Sequence, residues 1–182
     1  MATTTSVLAF SSVVTHQAAE PQWFAAYTCA NHERRVKEQL EAREVQHFLP
    51  LYSSIRRWSD RRVQLDMPLF PGYIFVHFPA AARLRVLEVP GVVRLVGFNG
   101  QPYPLPDNEI ESLRLGLLQG VKIEPHPYLK AGCKVRIVRG PLEGTEGILV
   151  RKKNVHRVVL SLDLIARSAA VEVDSTDVTR IP

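Results

Sequence analysis

Met67-Pro68-Leu69-Phe70-Pro71-Gly72-Tyr73-Ile74-Phe75-Val76-His77-Phe78 is the stretch on which the fold turns. Pro71 fixes φ and Gly72 opens positive φ, so the dipeptide predicts a turn. Tyr73 to Phe78 then reads as a dense β run closed by Pro79, a candidate central strand. Phe70, Tyr73, Phe75 and Phe78 supply more aromatic surface than one small sheet needs to bury. Part of it is therefore expected to face a partner.

Working back from this run, Trp23 to Thr28 is apolar and aromatic and predicts a first strand, with Asn31 as the N-cap of a helix over His32–Glu44. That helix is expected to pair Glu33 with Lys37 and to lay Val36 and Leu40 on a sheet. Phe48-Leu49-Pro50-Leu51-Tyr52 predicts a short strand, at a sheet edge because Pro50 lacks a donor. Ile55 to Leu65 predicts a hairpin turning at Ser59-Asp60.

Forward of the central run, Pro79 to Glu88 predicts a short helix with Leu84 and Leu87 one turn apart. A strand over Val92–Val96 and a turn at Gly97-Phe98-Asn99-Gly100 follow. Asp107 or Asn108 then caps a third helix with Ile110, Leu113 and Leu117 on its buried face and Gly120 as its stop. This order of elements indicates an α+β domain, with helices packed on a largely antiparallel sheet.

After it the chain changes character. Gln119 to Leu129 contains Pro125-His126-Pro127 and reads as a stiff connector able to hold two domains roughly 30 Å apart. Five short β-rich runs then crowd into the remaining residues, from Val135-Arg136-Ile137-Val138 to the run ending at Ile181, which suggests a small closed barrel. The expected boundaries are a disordered tail over 1–20, a first domain over 21–118, a linker over 119–129 and a barrel over 130–182.

The chain has 182 residues, 46% apolar and 23% charged, with a formal charge of +5, which admits a polyanionic partner without requiring one. Arg56, Arg57, Arg61 and Arg62 flank Trp58 and face one acid, Asp60. Two readings stay open for them: a solvated sheet edge guarded by charge, or contact with nucleic acid through phosphate pairing and base stacking. Arg151-Lys152-Lys153 is likewise either a solvated turn or an RNA contact. Cys29 and Cys133 share no ligand or redox spacing and predict two buried thiols in a reducing cytoplasm. No run approaches the roughly 18 apolar residues of a membrane span, and residues 1–20 lack the basic start of a secretory signal. No Walker loop, dinucleotide fingerprint, nucleophile elbow or histidine ligand pair is present, so neither enzymatic activity nor a metal or cofactor is expected.

Gly132 to Gly147, with Gly140-Pro141-Leu142-Glu143-Gly144 at its corner, resembles the KOW motif of SH3-like barrels. Together with Trp23-Phe24, Glu33 followed by Val36, Phe70-Pro71-Gly72-Tyr73, Pro90-Gly91-Val92, Val96-Gly97 and Pro102-Tyr103-Pro104-Leu105, it resembles the NusG family of transcription elongation factors over residues 22–182. The resemblance implies an N-terminal NGN domain that binds RNA polymerase and suppresses pausing, and a C-terminal KOW barrel that recruits other factors. The polymerase contact would be the clamp helices of the largest subunit, gripped by Tyr27, Tyr73, Phe75 and Phe98 with Phe70 beneath them. The KOW partner, a small-subunit ribosomal protein or a termination factor, would meet Val138, Gly140, Pro141, Leu142 and Gly144. The arginine-rich hairpin would touch non-template DNA.

The N-terminal tail, the short hairpin and Leu142 at the KOW corner look more like the specialised UpxY and RfaH paralogues, antiterminators of selected operons such as those for surface polysaccharide. A housekeeping NusG factor and an RNA-binding, ribosome-associated KOW protein are the alternatives. A cytoplasmic monomer is the expected state.

Overall fold

The computed structural model describes residues 20–58, 61–129, 132–152 and 155–181, without the side chains of Trp58, Arg151, Lys152 and Val155. The expected tail, apart from Glu20, and the side chains of Arg151-Lys152-Lys153 lie outside the described residues.

The first half opens with β1 (Gln22–Thr28), α1 (Glu33–Ala42), β2 (Gln46–Phe48) and the hairpin of β3 (Leu51–Trp58) and β4 (Arg61–Pro68). It continues through β5 (Tyr73–Phe78), α2 (Arg83–Leu87), β6 (Val92–Leu95), the two-residue strands β7 (Gly97–Phe98) and β8 (Gln101–Pro102), and α3 (Asp107–Leu118). The main sheet runs β2-β5-β1-β6, so β5 is central, and its pairs are antiparallel. Side chains alternate across a strand. Phe24, Ala26, Ile74, Val76 and Phe78 therefore meet Val36 and Leu40 of α1 and Val86 of α2 on one face. Trp23, Ala25 and Phe75 face the other way, toward Ile110 and Leu113 of α3.

The second half comprises β9 (Ile123–His126), β10 (Cys133–Ile137), β11 (Glu146–Lys152), β12 (Val155–Leu162), β13 (Arg167–Val173) and β14 (Val178–Arg180), ordered β14-β10-β11-β12-β13-β9.

Several local expectations are corrected. Asn31 does not cap α1: it sits at φ 61 in the turn before it, and His32 occupies the cap position without a side-chain bond to the helix. Glu33 is buried rather than paired with Lys37, because its carboxylate accepts the Gly72 N–H. The strand expected over 48–52 breaks at Leu49-Pro50, where the chain leaves the main sheet for the β3–β4 hairpin. On α2 the buried residue is Val86, whereas Leu84 and Leu87 face solvent. Cys29 is exposed and Cys133 half-buried, so neither is a core thiol.

The largest correction concerns the connector. Ile123–His126 is not a spacer: it pairs antiparallel with β13, His126 opposite Ser168 through Ile123 opposite Val171, and becomes an edge of the barrel sheet. Pro125 is tolerated there because an edge strand has one unpaired side. Arg157 fastens the strand by donating to Glu124 at 3.0 Å and to Glu172 at 2.6 Å. Instead of standing apart, the halves share one buried cluster, from Trp23 and Phe75 through Ile110 and Leu113 to Leu142, Leu162 and Ile165.

Candidate functional site: an aromatic face at the seam of the two halves

Pro71-Gly72 makes the predicted turn, with the Tyr73 N–H donating to the Phe70 carbonyl at 3.1 Å and Gly72 at φ 83. The turn lies over the end of β1, where a Cβ added to Gly72 would stand 3.2 Å from the Tyr27 ring. The cross-strand pair Tyr27–Tyr73 brings the two rings to 5.4 Å at a 56° tilt. Tyr27 is 38% exposed and Tyr73 half-buried.

Two guanidiniums cover the pair. Arg94, opposite Tyr27 on β6, stands 5.6 Å from the Tyr27 ring centre. Arg167, the first residue of β13 in the barrel, stands 5.9 Å from that of Tyr73. Each lies within cation–π reach.

The other expected rings divide. Phe70 and Phe75 are sealed in the core, edge-to-face at 5.8 Å, so Phe75 supports the face from beneath and is not a surface contact. Phe98 is 64% exposed and pairs with Tyr103 at 5.6 Å and 77°, rather than with Tyr27 or Tyr73. That pair rides on the β7–β8 hairpin, whose strands approach so closely that a Cβ on Gly97 would meet the Gln101 carbonyl oxygen at 1.9 Å. Tyr103 and Arg94 are the contributors that sequence reading passed over. The Asn99-Gly100 turn carried the signal for Tyr103, since a two-residue turn sets Phe98 opposite Gln101 and so places Tyr103 diagonally across from Phe98 on the same side.

On the β3–β4 hairpin, Arg57 lies opposite Arg62 and Trp58 opposite Arg61, while Arg56 lies opposite Val63. Facing residues share a side and neighbours alternate. The four arginines therefore split, Arg57 with Arg62 on one side and Arg56 with Arg61 on the other, all exposed. The Trp58 side chain lies outside the described residues.

At the barrel corner, Val138, Gly140 and Gly144 are exposed and Pro141 is half-buried. Leu142 is not a free partner contact: it is 3% exposed and packs on α3, where a Cβ added to Gly116 would meet its Cδ2 at 3.0 Å. Among the described residues, no group of three or more acidic, cysteine or histidine side chains could hold a metal ion, and no helix is long and apolar enough to cross a membrane.

A family model described as "Transcription termination factor nusG" matches residues 21–114, more than half of the chain. The chain belongs to the NusG family. A NusG transcription termination/antitermination protein of Lactococcus lactis is 30% identical over 166 residues, 84% of this chain and 89% of the relative. The Helicobacter pylori NusG is 23% identical over 87% of this chain and 98% of its own length. A solved structure described as "Domain interaction in Thermotoga maritima NusG" superimposes with a TM-score of 0.56 at 25% identity, covering 90% of this chain and 98% of that one. These matches extend the NusG likeness past the first half into the barrel.

Proposed function

We propose that this NusG-family chain acts as a transcription termination/antitermination factor that holds RNA polymerase, at the clamp helices of its largest subunit, through the Tyr27–Tyr73 face. The observation that carries the reading is the pair of adjacent, partly exposed rings fixed by a rigid turn on a central strand. Aromatic anchors of this kind, set on a well-packed base, dominate interface energies. Phe98 and Tyr103 extend the apolar surface on a separate hairpin. Arg167 lies over Tyr73, so the polymerase and the barrel compete for that ring, and engagement requires the barrel to lift.

The barrel corner at Val138, Gly140 and Pro141 is the proposed site for a ribosomal protein or termination factor, joined by Leu142 once the halves part. The arginine hairpin is the proposed contact to non-template DNA, and an operon-selective role is the reading proposed with it. Placing Arg57 directly opposite Arg62 costs about 0.2–1 kcal/mol. A phosphate between them would turn that cost into attraction.

The test is Tyr27→Ala with Tyr73→Ala, assayed for binding to core polymerase. Loss of at least about tenfold in affinity, with an unchanged circular dichroism spectrum, is expected. Normal binding by the folded double variant would remove the aromatic anchor from the reading. Phe75→Ala is unsuitable, because it would hollow the core.

A further inference from the structure

Between α3 and the barrel lies a cavity of about 210 Å³, to which α3 gives Glu109 and Leu113 and the barrel gives Thr145, Glu146, Leu160 and Leu162. Two features of this seam do not fit a passive contact. The Glu109 carboxyl, half-buried, comes from one half, and Asp163, whose charge of the same sign acts on it, comes from the other. Among the described residues, no hydrogen bond or ion pair reaches the Glu109 carboxyl to offset that repulsion. The Thr145 hydroxyl in the same cavity is also buried without a partner among the described residues.

The surrounding charges are already committed. Asp163 accepts from the Tyr128 hydroxyl at 2.9 Å, Glu146 is engaged by Arg136, and on α3 Glu111 is held by Arg114 at 2.9 Å. Asp107, at the start of α3, adds further negative charge. No histidine or described cation lines the cavity. A proton on Glu109 is therefore the available means of making the contact neutral.

We propose that the Glu109–Asp163 carboxylate pair makes closure of the two halves proton-dependent: the seam closes on a neutral Glu109 and loosens when Glu109 ionises. The proposal concerns the arrangement of the halves alone and stands or falls independently of the polymerase reading.

Burial, and after it the Asp163 charge, pushes the Glu109 carboxyl from 4.5 up to about 7 in the closed arrangement. Opening returns it to water and to its ordinary value. An acid whose value is raised in one state favours that state fully below its lower value, and the advantage is lost as pH rises from there through the raised value. Closure is thus strongest below about pH 4.5 and weakens as pH rises from there through about 7, the last part of the loss falling between pH 6 and pH 8. An unscreened shift of this size lowers the closed-to-open ratio roughly tenfold between pH 6 and pH 8. Solvent on the open side of the seam reduces this to about three- to tenfold.

The experiment follows the full-length chain by NMR at constant ionic strength between pH 6 and pH 8. The ring-current shift that Tyr73 imposes on the Arg167 side chain reports closure, and small-angle X-ray scattering gives an independent radius of gyration. The wild type is expected to open as pH rises. Glu109→Gln should stay closed throughout, and Asp163→Asn, which keeps the acceptor for Tyr128, should show a shallower dependence. A wild-type ratio that does not change over this range overturns the proposal, and so does a Glu109→Gln chain that opens in parallel with the wild type.

Discussion

The backbone N–H of Gly72 donates a 2.7 Å hydrogen bond to Oε1 of Glu33, a residue only 5% exposed although it stands at the first position of a helix. This bond ties the turn before β5 to α1 and so sets the height of Tyr73 above the sheet. Deleting the acceptor strands a partly buried donor, which costs about 1–3 kcal/mol. Glu33→Ala should lose that much stability in urea unfolding, and Glu33→Gln, which keeps an acceptor oxygen, should lose clearly less. Equal losses in the two variants would mean that packing, not the bond, holds the turn.

Arg157 governs how firmly β9 stays in the barrel. Its hydrogen bond holds the Glu172 carboxyl below the usual carboxylate value, with Lys122 adding to the effect. A depressed carboxylate contributes stability that is present above its unfolded value of 4.5 and is lost as pH falls through the folded value. Wild-type stability should therefore drop below about pH 4.5, and Arg157→Ala should flatten that drop while costing about 1–2 kcal/mol at neutral pH. Hydrogen exchange at the Ser168 to Val171 amides reports the same loosening locally.

Gly116 is the point at which the barrel corner sits on α3. Gly116→Val pushes new carbons into Leu142, at an overpacking cost of about 1–3 kcal/mol, so the halves should separate while the helix persists. A larger radius of gyration with unchanged far-ultraviolet dichroism is the expected signature. An unchanged radius would show that the corner can repack.

Arg62→Thr relieves the like-charge pair across the hairpin and places a β-branched residue in a strand. It should raise stability by about 0.2–1 kcal/mol in thermal melts. If the hairpin touches DNA, the same change should lower affinity for a single-stranded oligonucleotide and reduce the salt slope by about 1. Gain on the first measure with no change on the second would make the arginines a guarded edge.

What could be read from the sequence followed from local rules. Pro71-Gly72, the dense β run over Tyr73–Phe78, the pairing of β3 with β4 and the short runs of the barrel are fixed by residues within a few positions of one another, while the expected turn at Ser59-Asp60 lies outside the described residues. What could not be read depends on distant partners. Glu33 resembles any surface glutamate until Gly72 arrives above it, and Pro125 resembles a spacer until β13 offers an edge. Phe75 and Tyr73 differ only in which strands and helices cover them. The Tyr27–Tyr73 contact follows from strand pairing, but Arg167 over Tyr73 required the barrel to fold back, which no spacing announces.

With β9 bound into the barrel, only residues 119–122 lie between α3 and the second half, and the Val121 N–H is itself held by the Gly116 carbonyl at 2.9 Å. Four residues reach about 14 Å at full extension. So short a leash permits the barrel to swing aside but not to wander, and under the proposed function a partner caught by the barrel would travel at the shoulder of the polymerase held by the first half.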